Sequence, residues 1–587
     1  MSAAARAGAV AVAAILAAPA AAADPVMPLG EVQPGMVGEA RTVVQGTTIE
    51  RFPVRVLDVQ RTAAAVGGPL IIARAEGPLM ERTGGVAEGM SGSPVYVTGA
   101  DGVQRVIGAI AFGSGDQANV IVGVTPIERM VAAARATTSP ATRSAAARGP
   151  VRLVAGRRAA VRVERRHPGA RALYPLRRWM VAGASPSLLG PLRRRLRSEG
   201  VQLTAVGVAP SRPATPLVPG ATLAALLSAG DLAAGAIGTV TYVDGRTVIG
   251  FGHPFLGAGA SRFLLADGHV LQTIPAPILG ASYKLAEPGA LQGTVVGDHL
   301  SGIVGRVGVP RGVRVVSRAT DLDRGSRNVA RSLVAPDARA LALLAPLLSG
   351  EPALVARDGI GPGTLRLRIA IESPALARPL VYRNVYAASG DVIGLANGEL
   401  ERLVTVLGQN GLRRVGIARI EVSQTLRDRV DAARIVGAAV RPRRVRAGRT
   451  ATLVLALQPW RAERRVVRRR FRVPPDLPPG PVALRVVPNS PGGFSAEPPS
   501  FDGEVSEEAT PARGRAALAR VERRAAAANG PRTQRLLDAL RAVGPGRHDA
   551  IRLLEPGQQT DGPRVGTVIR VPPVISGGRA VARLTVR

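Results

Sequence analysis

The chain has no cysteine among its 587 residues. This absence excludes disulfide bonds, thiolate metal sites and a cysteine nucleophile. Aromatic residues make up only 3% of the sequence, so the hydrophobic cores must be built mainly from valine, leucine, isoleucine and alanine. Histidine occurs five times. Few side chains are therefore available to act as a proton acceptor near neutral pH.

Lysine is almost absent as well, although the chain is strongly basic. The net charge is +35, and Lys284 is the single lysine, so arginine carries nearly all of the positive charge. The dense runs Arg193–Arg197 and Arg464–Arg472 contain a single aromatic residue, Phe471, and so lack the interleaved aromatic residues that stack on bases. The pattern favours solvated faces or contact with anionic cell-envelope polymers over a specific nucleic-acid partner.

The N-terminus has the pattern of a secretory signal peptide. Arg6 supplies a positive charge, the run 7–17 is apolar, and three alanines precede Asp24. The sequence therefore predicts a signal peptide over residues 1–23. We expect a bacterial protein that is secreted or associated with the cell envelope.

Residues 89–94 read Gly-Met-Ser-Gly-Ser-Pro and precede a predicted strand–turn–strand. Chymotrypsin-like hydrolases present their serine in such a turn, because glycines let consecutive N–H groups point at one spot and hold an oxyanion. Ser91 is the candidate nucleophile, and the backbone amides of Gly89 and Ser91 are the candidate oxyanion donors. Ser93 is expected to make a local hydrogen bond that stabilises the turn. An ordinary tight turn is the alternative interpretation.

A serine nucleophile needs a base, and His253 is the best placed of the histidines. It lies between Gly252 and Pro254 in an otherwise apolar segment. This segment follows a hairpin that is predicted to turn at Asp244-Gly245. A histidine at this position would be held rigidly at a sheet edge. A purely structural histidine remains the alternative.

Two segments together resemble the SpoIVB peptidase family of chymotrypsin-like serine endopeptidases. The first runs from Gly77 through Gly-Met-Ser-Gly-Ser-Pro, and the second contains Gly-Phe-Gly-His-Pro, which ends at Pro254. The resemblance implies Ser91 as nucleophile and His253 as base. It also places Glu76 at the position of the family's catalytic aspartate, and Asp298 is an alternative acid. The serine segment precedes the histidine segment, the reverse of the family order, which implies a circular permutation.

The predicted fold is mostly β with α+β parts: a permuted chymotrypsin-like double β-barrel followed by a C-terminal β-sandwich-like domain. A small-residue stretch and changes of composition set the predicted boundaries. These are a signal peptide (1–23), the nucleophile-bearing half of the peptidase (27–136), a linker and Arg-rich insert (137–215), the histidine-bearing half (216–318), an α+β region (319–430), the sandwich-like domain (431–490) and a flexible, Arg/Ala-rich C-terminal region (491–587).

These observations favour an exported serine endopeptidase. Its partners would be protein or peptide substrates, with the chain itself as a further candidate substrate, and no cofactor or metal is expected. The rival hypothesis is a catalytically inactive protein that keeps the peptidase fold as an envelope scaffold. A polyanion-binding protein is a third hypothesis, and it rests on charge alone.

Overall fold

The computed structural model divides into two compact units. Unit 1 comprises residues 1–313 and 331–337, and unit 2 comprises 314–330 and 338–587. Most of the predicted signal peptide, linker and flexible stretch lies outside the residues that the structure describes. The structure describes residues 23–63, 66–114, 120–138, 173–198, 201–208, 211–275, 281–490, 493–496, 511–543, 547–555 and 567–587.

Unit 1 begins with a six-stranded ring. The strands follow the order β4-β1-β2-β3-β6-β5, and pairing of β4 with β5 closes the ring into a barrel. The short strand β7 pairs with the end of β5 outside this ring. The strands are β1 (Val37–Val43), β2 (Ile49–Gln60), β3 (Leu70–Ala75), β4 (Pro94–Thr98), β5 (Gln104–Gly113), β6 (Ile121–Pro126) and β7 (Tyr174–Pro175).

Alternation of apolar and polar residues produces the first barrel. In β2, Phe52, Val54 and Val56 are buried and the residues between them are exposed, as expected for a strand with one face on a core. Glycine is needed where strands approach closely. A Cβ at Gly38 or Gly108 would collide with a backbone carbonyl of the neighbouring strand.

A second ring follows in unit 1. Its order is β10-β13-β14-β15-β12-β11, and pairing of β10 with β11 closes it. Strands β8 and β9 extend the sheet beyond β11. The strands are β8 (Arg178–Ala182), β9 (Gln202–Val206), β10 (Thr222–Gly230), β11 (Ala233–Asp244), β12 (Thr247–Gly250), β13 (Gly259–Ile274), β14 (Tyr283–His299) and β15 (Gly302–Val307).

The helices of unit 1 are short and lie between or after these strands. A 3-10 turn (Leu29–Glu31) precedes β1, and α1 (Pro78–Thr83) begins with proline and ends at Gly84 in the left-handed region. Helix α2 (Ile127–Thr138) follows the first barrel, and α3 (Pro186–Ser198) lies between β8 and β9 in the chain. The predicted mostly β content with a closed barrel is confirmed.

In its described residues, unit 2 combines a mixed sheet, five helices and two further sheets. The mixed sheet has the order β26-β19-β18-β20-β16-β17, in which β16 and β20 run parallel. The strands are β16 (Val313–Asp321), β17 (Ser326–Val334), β18 (Gly363–Glu372), β19 (Leu380–Ala388), β20 (Arg419–Arg427), β21 (Ala432–Arg441), β22 (Arg444–Val445), β23 (Thr450–Pro459), β24 (Arg465–Arg472), β25 (Gly480–Pro488), β26 (Phe494–Ser495), β27 (Ala550–Leu554), β28 (Thr567–Arg570), β29 (Val574–Gly578) and β30 (Ala580–Val586).

The two further sheets share one hydrophobic core. Their orders are β24-β23-β21-β29 and β22-β30-β25-β27-β28, and buried residues from both belong to a single cluster that includes Leu455 and Leu484. Strands from the predicted sandwich-like range, 431–490, and strands from 550–586 build these sheets together.

The helices of unit 2 pack on the mixed sheet or on one another. Among the described residues only α4 is long and apolar enough to cross a membrane. Most of α4 is buried, as is usual for a core helix of a globular protein, and it contains Pro346 and Pro352. The helices are α4 (Ala338–Arg357), α5 (Val392–Ala396), α6 (Gly398–Gln409), α7 (Pro511–Ala526) and α8 (Arg532–Val543).

Candidate active site

The Gly-Met-Ser-Gly-Ser-Pro segment forms a tight turn that leads into β4. Gly89 and Gly92 have φ values of 95° and 96°, which favour glycine. The N–H and the hydroxyl of Ser93 both donate to the carbonyl oxygen of Met90, at 3.0 and 2.6 Å. Ser93 therefore closes the turn locally, and its hydroxyl is engaged in doing so.

The turn leaves two of its backbone N–H groups unbonded. The N–H groups of Met90, Gly92 and Ser93 each donate to a backbone carbonyl. Within the described part of the chain, the N–H groups of Gly89 and Ser91 have no acceptor. These two amides are the ones predicted to bind an oxyanion, and free N–H donors are what that role requires.

The second barrel holds this turn in place through β11. The N–H of Thr239 donates to the carbonyl of Ser91 at 2.7 Å, and the hydroxyl of Thr241 donates to the carbonyl of Gly92 at 2.7 Å. A Cβ on Gly92 would collide with the carbonyl of Thr239 and come within 2.6 Å of the Phe251 nitrogen. The position therefore needs glycine for both its φ value and its contacts.

His253 lies just after β12, in a loop that begins with Phe251 and Gly252. The φ values of these two residues are 69° and 70°. The hydroxyl of Thr125 in the first barrel donates to the carbonyl of Gly252 at 2.6 Å. Burial lowers the pKa of His253 to about 4, and the nearby charge of Arg177 adds to this effect. The ring is therefore neutral at pH 7, as a general base must be.

Two carbonyl oxygens face the His253 ring. Nδ1 lies 2.9 Å from the carbonyl of Pro254, and Nε2 lies 3.4 Å from the carbonyl of Leu176. A neutral imidazole carries one proton, and the shorter contact assigns it to Nδ1. Nε2 then has an unshared lone pair that can accept a proton.

The structure brings the loops of Ser91 and His253 together, since Gly92 lies against the Phe251 backbone. No hydrogen bond joins the Ser91 hydroxyl to the His253 ring among the described contacts. Ser91 and His253 are 1% and 2% exposed. The arrangement has the elements of a nucleophile and base in a closed site.

The two candidate acids lie in different surroundings. Glu76 is partly exposed, with its carboxylate 3.7 Å from Nε of Arg55, and its described contacts do not include His253. Asp298 is buried and accepts the N–H groups of Phe255, Leu256 and Ala258 at 2.8, 2.8 and 3.1 Å. Burial raises the pKa of Asp298, and these N–H groups partly offset that rise. Asp298 thus fixes the loop that follows His253 without contacting its ring.

Lys284 is a further residue at this site to which sequence reasoning assigned no role. Its side chain packs along Gly89, and its Nζ donates to the hydroxyls of Thr42 at 2.9 Å and Thr239 at 3.3 Å. Complete burial lowers the pKa of Lys284 to about 7. The available signal was its rarity: one lysine among 77 basic residues marks a position where an arginine, which cannot lose its proton, does not serve.

No group of three or more histidine or carboxylate side chains suited to a metal ion occurs in the described residues. The functional groups described at this site are a hydroxyl, an imidazole, a buried amine and two backbone N–H groups.

Comparison with known proteins connects this site to one family. Residues 16–131 match the family model for SpoIVB peptidase S55, which covers the serine turn and stops short of His253. No curated protein matches the chain, and no solved structure matches it. The family resemblance predicted from the sequence is thereby confirmed for this segment. Over residues 16–131 this chain is similar to the SpoIVB peptidase S55 family, a family of serine peptidases.

Proposed function

We propose that the chain is an exported serine endopeptidase with a permuted, chymotrypsin-like double barrel. The observation that carries the proposal is the pair of unbonded N–H groups, those of Gly89 and Ser91, on a turn held against the His253 loop. The two closed rings of unit 1 supply the two halves of such a fold. The β-sandwich-like sheets of unit 2 and the arginine-rich surfaces would position the enzyme or its protein substrates at the cell envelope.

In this mechanism the Ser91 oxygen attacks the carbonyl carbon of a peptide bond, while its proton passes to Nε2 of His253. The N–H groups of Gly89 and Ser91 donate to the oxyanion, and each such donor contributes on the order of 10²–10³ in rate. The imidazolium then protonates the departing amine as the C–N bond breaks. Water attacks the acyl-enzyme by the same route, and it releases a carboxylate and restores the Ser91 hydroxyl.

The orienting group for His253 differs from a conventional triad in this proposal. The carbonyl of Pro254 accepts the Nδ1–H and fixes the tautomer, and Asp298 fixes the loop by its three backbone contacts. Glu76 would act only after a rearrangement that brings it to the ring.

Labelling with a fluorophosphonate tests the proposal. We expect an adduct on Ser91, identified by peptide mapping, that is lost in Ser91→Ala and His253→Ala and kept in Ser93→Ala. The measurement includes a Leu176→Asp variant, because Leu176 lies against the His253 ring and restricts access to it. Absence of a Ser91 adduct in both the wild type and Leu176→Asp, under conditions that label a control protease, would overturn the proposal.

A second candidate function is an inactive scaffold of the cell envelope. Burial of Ser91 and the lack of a carboxylate on the His253 ring in the described contacts favour it. It predicts no adduct on Ser91 in any variant, together with unchanged thermal stability in Ser91→Ala.

A further inference from the structure

Beside the serine turn, strand β4 does not pair with the last part of β5. Another segment of the same chain pairs with β5 there. Strand β4 begins at Pro94, paired with Ala109, because the preceding residues leave the sheet to form the turn. Beyond Ala109, β5 continues to Gly113, and β7 pairs antiparallel with it there. The segment 174–176 therefore continues the line of β4 on the same edge.

The first part of this segment is docked as a strand, and the chain turns at Leu176, where the N–H of Arg177 donates to the carbonyl of Pro175 at 2.9 Å. Tyr174 pairs with Gly113 and Pro175 with Phe112, and in the same register the N–H of Leu176 donates to the carbonyl of Ala111 at 3.2 Å. Addition of a strand to a sheet edge is a general mode of peptide recognition, in which backbone hydrogen bonds provide affinity and side-chain pockets provide specificity.

The docked strand ends at the catalytic groups. The carbonyl of Leu176 lies 3.4 Å from Nε2 of His253. The Leu176 side chain is 4% exposed and belongs to the same apolar cluster as Met90, the residue before Ser91. Strand β5 also binds the turn, since the Gly92 N–H donates to the carbonyl of Ile110 and the Ile110 N–H donates to the carbonyl of Ser93. One strand thus aligns Leu176 with the serine turn.

The chain beyond Leu176 is held on the other side of the turn. Nε of Arg178 lies 2.7 Å from the carboxylate of Glu88, the residue before Gly89. The Arg178 guanidinium also lies 4.0 Å from the centre of the Tyr283 ring. Glu88 and Tyr283 lie side by side next to the turn, because a β-bridge joins their backbones, and a third partner of Arg178 is the hydroxyl of Thr204 at 3.0 Å.

We propose that residues 174–178 occupy this chain's own substrate site, with the Leu176 carbonyl resting at Nε2 of His253 in the described contacts, and that the Leu176–Arg177 bond is presented to Ser91 once this carbonyl moves to the Gly89 and Ser91 amides. This inference rests on the proposed function and adds a substrate class to it. The site takes a peptide that pairs with β5 up to a leucine-like residue before the scissile bond and has a basic residue two positions after that leucine, opposite Glu88. Protein substrates enter only when this segment leaves the edge of β5.

Hydrolysis of such a peptide adds one water across the bond. The Ser91 ester of the leucine carbonyl forms as the C–N bond breaks, and the proton that His253 took from Ser91 goes to the new amino group. The products are a C-terminal leucine carboxylate and an N-terminal arginine amine.

The first test compares rates of Ser91 labelling by a fluorophosphonate in the wild type, Leu176→Asp and Val103→Asp. The last variant is a matched control, because Val103 is exposed at the tip of the β4–β5 hairpin. We expect labelling at least about tenfold faster in Leu176→Asp, because a buried leucine contributes that much or more to holding the segment, and unchanged in Val103→Asp. The acid limit of labelling in Leu176→Asp should also move upward from pH 4 as the His253 ring becomes hydrated.

The second test needs no folded variant. The wild-type protein is incubated with the peptide Leu-Tyr-Pro-Leu-Arg-Arg, the sequence of residues 173–178, and with the same peptide carrying the Leu176→Asp change. We expect cleavage between leucine and arginine, at least about tenfold faster than any cleavage of the aspartate peptide.

Equal rates of Ser91 labelling in the wild type and a folded Leu176→Asp variant, or equal rates of cleavage of the two peptides, would overturn this inference. Either result would leave the proposed function standing. Absence of a Ser91 adduct in every protein overturns the proposed function itself.

Discussion

Lys284 should titrate more than three pH units below an ordinary lysine. Its amine is buried against Gly89 and bonded to two threonine hydroxyls, and burial lowers its pKa from 10.5 to about 7. A difference of that size corresponds to about 5 kcal/mol between the protonated and neutral forms. The folded state disfavours the ammonium, so its stability is lowest below pH 7 and rises by this amount between pH 7 and 10.5.

The assay uses the rarity of lysine in this chain. The chain has a single lysine, so protein labelled with ¹³C-lysine gives one Cε resonance in an NMR spectrum. This resonance can be followed against pH without assignment by mutation. We expect a midpoint near 7 in the native protein and near 10.5 in denaturant. Lys284→Met should remove the rise of the thermal midpoint between pH 7 and 10. A native midpoint above 10 would refute the argument from burial.

Further substitutions test the geometry of the turn and of the His253 loop. Gly92→Ala should abolish Ser91 labelling and destabilise the fold by more than about 2 kcal/mol in thermal unfolding, whereas Gly102→Ala, at a φ of 77° with open space around it, should cost less. The labelling rate of the wild type should fall below pH 4, since burial lowers the pKa of His253, and a fall near pH 6.5 would contradict the buried ring. Asp298→Asn should slow labelling because it weakens the anchor of the His253 loop, and Glu76→Gln should leave the rate unchanged. A large loss in Glu76→Gln would instead identify it as the acid.

Features fixed by local chemistry could be predicted from the sequence. The hairpin at Asp244-Gly245 is confirmed, with Asp244 paired to Thr247 and Gly245 at a φ of 55°. The local hydrogen bond of Ser93 follows from the same kind of short-range reasoning.

Features that depend on distant partners could not be predicted. The sequence predicts the strand β5 but does not reveal that residues 174–176, beyond a long intervening segment, pair with its end. The position of Glu76 in the sequence fits an acid, yet the direction of its side chain is set by Arg55 in β2. The carbonyls facing the His253 ring come from Leu176 and Pro254, and no side-chain pattern reports them.

The closure of the two rings has a consequence for the order of synthesis. All pairings of the first ring lie within residues 37–126, and those of the second lie within 222–307. A chain made from its N-terminus can therefore complete the barrel that carries Ser91 long before His253 has been translated, since domains fold as units during synthesis. The N–H of Thr239, the loop of His253 and the amine of Lys284 all arrive with the second ring. Under the proposed function, a nascent or truncated chain would thus carry Ser91 without His253, and catalysis would begin only when the second barrel has formed.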